Sequence, residues 1–136
     1  MNKISHQQTF NTVVEHLRKQ GKKATTENDG CCYRTPDGLK CAAGILIPDS
    51  EYNHEFEGYS VYITPESRTL SLAGEFIEKL GHDIALVSCL QRVHDVYESD
   101  RWEEKFKAIA DVFGLYYERP QKNEAQLEVS TSSQVS

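Results

Sequence analysis

The order of apolar and polar positions divides the chain into four helical stretches and one dense central segment. Phe10, Val13, Val14 and Leu17 recur three and four residues apart, which predicts a helix with one inward stripe. Ser5 and Gln8 fit a capping box at its start, and Gly21 supplies its stop. Thr64-Pro65 reads as the opening of a second helix, because proline at the first helical position lacks only an amide that would go unpaired anyway. Leu72 or Ala73, Phe76, Ile77 and Leu80 give its inner face, and Gly81 closes it. Asp83 caps a third helix whose apolar residues (Ile84, Leu86, Val87, Leu90, Val93, Tyr97) span a wide arc, so it is expected to be the most buried. Asp100 with Glu103 makes another capping box, followed by a stripe of Trp102, Phe106, Ile109, Ala110 and Phe113 that ends at Gly114. Leu115-Tyr116-Tyr117 is expected to pack back on the core.

The central segment, Gly30 to Asp49, follows a different pattern. Thr35-Pro36-Asp37-Gly38 reads as a tight turn: proline presets φ, Asp37 bonds back to nearby backbone, and Gly38 takes the left-handed conformation. The arms Cys32-Tyr33-Arg34 and Leu39-Lys40-Cys41 then make a short antiparallel hairpin, with Arg34 facing Leu39 and Cys32 facing Cys41. Cys41 to Ile47 predicts one or two buried helical turns, halted by Pro48. Past it runs an irregular acidic and aromatic stretch in which Val61 and Ile63, with Tyr59 and Tyr62, predict a brief third strand beside the hairpin. The expected architecture is α+β and helix-dominated: about four helices around a small β-hairpin, in a single globular domain over residues 1–117. Residues 118–136, rich in Gln, Glu, Ser and Thr without periodicity, are expected to be a disordered C-terminal tail.

The apolar fraction of 38% is low, but it is concentrated before the tail. No run approaches the ~20 apolar residues that cross a bilayer. No basic start precedes an apolar stretch, so the chain is expected in the cytoplasm, away from membranes, with its thiols reduced. The net charge of −6 argues against direct nucleic-acid binding, which needs clustered cations to displace counterions from phosphates. Arg18, Lys19, Lys22 and Lys23 form one basic cluster, read as cations opposing the dipole at a helix end. The acidic balance suits a basic protein partner, or an acidic mimic of nucleic acid acting as an inhibitor.

Chemistry-bearing residues are few. Cys31, Cys32, Cys41 and Cys89 contain no C-x-x-C and no matching histidine spacing, so no zinc site is expected. Cys32 and Cys41, if opposed across the hairpin, are close enough to bridge in an oxidising setting; two small buried thiols is the plainer reading. Cys41 at the start of a short helix carries a sharper alternative, a Cys–His hydrolase or transferase with His94 as base and Asp95 as its partner. Against it, neighbouring helical residues point about 100° apart, so Asp95 is not expected to orient the ring of His94. No phosphate loop, nucleophile elbow or H-E-x-x-H accompanies the pair, and no cofactor is implied. Asp49, Glu51, His54, Glu55 and Glu57 lack the alternate carboxylates and central glycine of a calcium loop, so no metal is expected there. The candidate binding residues are the rings Tyr52, Phe56, Tyr59 and Tyr62 with Glu55 and Glu57, a composition suited to holding a protein partner; the competing reading has the rings covering the helices from outside.

One resemblance emerges from these residues. Tyr33-Arg34, Gly38, Lys40-Cys41-Ala42, Gly44, Leu46-Ile47 and Asp49, with Tyr52 and Glu57-Gly58, are similar to a pattern Y-R-x-x-x-G-x-K-C-A-x-G-x-L-I-x-D followed by E-G. That pattern marks a group of small uncharacterised proteins of bacteria and their phages; Leu90-Gln91, His94-Asp95 and Trp102 resemble the group as well. The resemblance implies a phage or prophage accessory setting, a host or phage protein as partner, and no particular chemistry. An exposed Trp102 stripe or hairpin edge would suit a homodimer.

Overall fold

The structure, a computed structural model, describes residues 3–26, 30–57, 60–62 and 69–120. Helix α1 spans His6–Gln20. Its capping box is formed: the Gln8 amide donates to Ser5 Oγ at 3.1 Å, and the Ser5 amide to Gln8 Oε1 at 3.3 Å. Gly21 closes it in the left-handed conformation, φ 72°. Helix α2 spans Leu72–Lys79, α3 Ile84–Val96 and α4 Trp102–Phe113. Helix α3 packs against each of the other three, which is why its apolar arc is so wide. Its Ile84, Leu86, Val87, Leu90 and Val93 join Phe10, Val13, Val14 and Leu17 of α1 and Trp102, Phe106 and Ala110 of α4 in one buried cluster.

The α+β expectation fails. Among the described residues, extended pairing is limited to a two-residue contact, Thr25 with Cys31 and Thr26 with Gly30, and two isolated bridges, Arg34 with Lys40 and Tyr62 with Leu70. No sheet layer is present among them, and the architecture is all-α. The turn at 35–38 does close, with the Gly38 amide donating to Thr35 O at 3.0 Å and Gly38 at φ 93°. Its arms do not become a ladder because their amides are taken by other groups. The Cys32 amide donates to Ala24 O, those of Tyr33 and Arg34 to the Glu57 carboxylate, and that of Lys40 to Gln20 Oε1. The one bridge that remains sets Arg34 against Lys40, one residue out of the expected register. A slip of one reverses the faces, so Tyr33 rather than Cys32 lies opposite Cys41, whose amide donates to Tyr33 O at 3.2 Å.

Four other expectations are corrected. Among the described residues the third strand does not form: Tyr62 pairs with Leu70, just ahead of α2, and not with the hairpin segment, while Tyr59 and Ile63 lie outside the described residues. Helix α2 begins with Ser71 as its cap, the Gly74 amide donating to Ser71 Oγ at 3.1 Å; Thr64-Pro65 lies outside the described residues. Asp100 caps nothing, because a 3₁₀ turn over Ser99–Arg101 runs straight into α4. Trp102 is 3% exposed, its indole N–H donating to Tyr97 O at 3.0 Å, so it offers no stripe for a dimer. Leu115 and Tyr117 pack on the core while Tyr116 stays exposed, tied through its amide to Gln7 Oε1 at 2.8 Å. Most of the expected tail, from 121 onward, lies outside the described residues.

Candidate functional site

The segment from Cys32 to Glu57 is held by polar side chains from other parts of the chain. On one side, α1 brackets the Lys40 peptide. Gln20 accepts its amide at 2.9 Å and donates to its carbonyl at 2.9 Å, and His16 Nε2 reaches the same carbonyl at 2.8 Å. On another, the Gln91 side chain of α3 accepts the buried Ala43 amide at 2.8 Å. From within the loop, Glu57 accepts the Tyr33 amide at 2.9 Å, the Arg34 amide at 3.1 Å and the Tyr52 hydroxyl. A buried amide left unpaired costs free energy, so these contacts fix the course of the loop.

The structure brings Cys41, Gln91, His94 and Asp95 into one region, but not as a nucleophile with its base. The His94 ring is fully buried and both nitrogens are engaged. Nε2 accepts the Ala24 amide at 2.9 Å, so the proton sits on Nδ1, which donates to Asp95 Oδ1 at 2.8 Å. Asp95 thus does orient the ring, contrary to expectation: the two side chains together bridge the 100° step between their backbone positions. Gln91 Nε2 donates to the same Asp95 oxygen at 2.8 Å, and the Trp102 ring stacks on His94 at 6.0 Å. Cys41 is 1% exposed; burial pushes its thiol well up, and its sulfur accepts the Gly44 amide at 3.2 Å. A protonated, enclosed thiol is the opposite of an activated one. Gln91 was the residue that sequence reasoning missed. Its signal was a lone amide side chain on the apolar arc of α3, one turn before His94.

The acidic and aromatic loop divides into a frame and a display. Phe56 is 7% exposed, tilted against Phe76 at 5.9 Å and edge-on to Tyr52 at 6.2 Å. Tyr52 is half-buried. Burial, then the hydrogen bond to Glu57, raises its hydroxyl above the usual range, and the Arg34 guanidinium lies over its ring at 4.8 Å. Arg34 also donates to Ile47 O at 2.8 Å and pairs with Asp49 at 2.8 Å; Lys40 reaches the same Asp49 oxygen at 3.2 Å. These two cations, Lys40 foremost, hold the Asp49 carboxyl below its ordinary range. Asp49, Ser50, Glu51, Asn53, His54 and Glu55 face solvent on two 3₁₀ turns, Asp49–Glu51 and His54–Phe56. Of the candidate binding residues, Glu55 is therefore displayed, Tyr52 half-displayed, and Phe56 and Glu57 structural. Tyr62 lies elsewhere, in a groove beside α2 and α3, and Tyr59 lies outside the described residues.

The chain matches no family model, no curated protein and no solved structure. Among the described residues no three His, Cys, Asp or Glu side chains are placed to hold a metal ion, and no helix is long and apolar enough to cross a membrane.

Two histidines of the frame give the fold a pH dependence. Burial lowers the pKa of His16, against the opposing effect of the hydrogen bond it donates to Lys40 O, and burial lowers that of His82. Below about pH 6.5 the unfolded chain takes up a proton at each, which the folded protein resists until lower pH. The stability these residues lend is thus complete above about pH 6.5 and declines below it. Urea midpoints at pH 7.5 and 5.5 are expected to show the loss, and His82→Asn is expected to reduce it.

Proposed function

We propose that the protein acts by binding another protein through the displayed loop 49–55, as an accessory protein of phage or prophage type in the cytoplasm. The observation that supports this reading most is the division of labour just described. The side chains with chemical potential (Cys41, His94, Asp95, Gln91, Glu57) are used to fix the backbone, while the short acidic loop, anchored to this frame through Tyr52 and Glu57, is left to solvent. A pre-ordered loop loses less entropy when a partner closes on it. With Glu51 and Glu55 exposed and a net charge of −6, the partner is a host or phage protein with a basic contact surface. Of the phage-like pattern, Tyr33, Arg34, Lys40, Cys41, Gly44 and Glu57 belong to the frame, while Asp49 and Tyr52 lie in the displayed loop; a shared scaffold with a shared contact surface fits this better than a shared reaction.

The test is affinity purification from host extract with wild type and with Glu51→Lys/Glu55→Lys. Both glutamates are exposed, so the variant is expected to keep the wild-type circular dichroism and melting curve. It is expected to lose a partner that wild type retains, with the loss mimicked in wild type by raising salt. Identical recovery by the two proteins would remove loop 49–55 as the contact surface.

A further inference from the structure

Beyond Gly114 the chain turns back and lies along α1. The Leu115 amide donates to Ala110 O at 2.8 Å and fixes the turn; residues 116–118 are then held by side chains of α1 and α4 rather than by a helix or a strand. Gln7 clasps Tyr116 by its backbone: Oε1 accepts the Tyr116 amide at 2.8 Å, and Nε2 donates to Tyr116 O at 3.0 Å. Asn11 Oδ1, one turn along, accepts from the same Nε2 at 3.0 Å and so sets the orientation of the Gln7 amide. Arg18 Nη2 donates to Glu118 O at 2.9 Å. Between them Tyr117 is held by its side chain: the hydroxyl donates to Glu103 Oε1 at 2.7 Å, and the ring lies 5.8 Å from the Arg18 guanidinium. Arg18 is itself fixed by two 2.8 Å bonds to Glu103, so the receiving groups are ordered in advance.

Main-chain groups answered by fixed polar side chains, with one ring for selectivity, is a way in which proteins take up a peptide. None of these contacts requires the segment to be joined to Gly114. Each is exposed or part-buried, and Tyr116 is 69% exposed. A segment held in this way opens at far lower cost than the helices. About 180 Å³ of open space remains beside it, floored by Phe10 and Val14. We infer that 116–118 is a releasable strap over a peptide-binding groove, and that the groove takes in its place an extended segment of another protein, with a tyrosine one residue after the residue that Gln7 clasps. A second copy's strap would only exchange identical contacts while losing the freedom of two separate molecules, whereas a partner segment that also fills the remaining space gains contacts. Gln7, Asn11, Arg18 and Glu103 take no part in loop 49–55, so the two contacts are tested independently.

The experiment follows the fluorescence anisotropy of a fluorescein-labelled peptide of residues 114–119, Gly-Leu-Tyr-Tyr-Glu-Arg, titrated with the full chain. Wild type is compared with Tyr116→Pro, whose strap lacks the amide that Gln7 accepts, and with Tyr117→Ser, whose strap lacks the ring. Both changes lie on the strap and keep the α1 and α4 side chains in place. The variants are expected to bind the peptide saturably, and wild type about tenfold more weakly because its own strap competes. Phenylalanine for the second tyrosine of the peptide is expected to weaken binding about tenfold, since Glu103 loses its donor. Adding Gln7→Ala to Tyr117→Ser is expected to abolish binding with the circular dichroism unchanged. The inference is overturned if none of the three proteins binds saturably, if wild type binds as tightly as both variants, if the phenylalanine peptide binds as well as the tyrosine peptide, or if Gln7→Ala has no effect. A wild-type dimer that Tyr117→Ser dissolves would make a second copy's strap the occupant, and would overturn the partner reading as well.

Discussion

Gly44→Ala is expected to remove about 3 kcal/mol or more of folding stability, enough to leave much of the protein unfolded at moderate temperature. A Cβ at this position would lie 2.1 Å from the Tyr33 carbonyl oxygen and 3.0 Å from its carbon. Relief cannot come from a side chain turning aside, because the obstacle is backbone. That carbonyl also accepts the Cys41 amide at 3.2 Å, so moving the two segments apart loosens this hydrogen bond as well. The informative control is Gly38→Ala. Gly38 has φ 93° and nothing within 4 Å of its would-be Cβ, so alanine there meets only conformational strain, about 1–2 kcal/mol. Urea unfolding of the two variants should separate them clearly. A Gly44→Ala protein within about 1 kcal/mol of wild type, and no less stable than Gly38→Ala, would mean that the close approach of the loop to Tyr33 is wrong.

The elements that sequence patterning described well are those whose partners are local. Ser5 with Gln8, Gly21, Asp83 and Gly114 act within a few residues of themselves, and the apolar stripes of α1, α3 and α4 need only a core to face. The hairpin failed for the complementary reason. Reading Cys32 to Cys41 as two arms assumes that each arm's amides pair with the other. Here the Tyr33 and Arg34 amides go to a carboxylate at Glu57, the Lys40 amide to Gln20 of α1, and the Ala43 amide to Gln91 of α3. No local periodicity announces an acceptor 20 or 48 residues away. The same blindness affected the candidate site. Sequence offers His94 and Cys41 as a possible reactive pair, but their polar atoms are taken by Ala24 and Asp95 at the one and by Gly44 at the other. Trp102 looked available because tryptophan in a stripe says nothing about which neighbour covers it; His94 and Tyr97 do.

The second large effect concerns Glu57, whose composition-based assignment was to the binding surface. Glu57→Gln is expected to cost about 2–4 kcal/mol and to lower Tm by roughly 10 °C. The change keeps the shape of the side chain but replaces one acceptor oxygen with an amino group. Oε1 serves the Tyr33 amide, and Oε2 serves the Arg34 amide and the Tyr52 hydroxyl, so either orientation of the glutamine leaves a backbone N–H facing another donor. The ionised carboxylate also gives stronger hydrogen bonds than an amide carbonyl can. Glu55→Gln, two residues away and exposed, should lie within about 0.5 kcal/mol of wild type. The two substitutions therefore separate frame from display. Glu57→Gln should destabilise the fold and weaken partner binding only as the loop loosens with temperature. Change at Glu51 and Glu55 should weaken binding with no effect on Tm. Were Glu57→Gln as stable as Glu55→Gln, the Glu57 carboxylate would not be holding the loop. The backbone donors of Tyr33 and Arg34 would then be free to pair across the turn, and Glu57 would return to the contact surface.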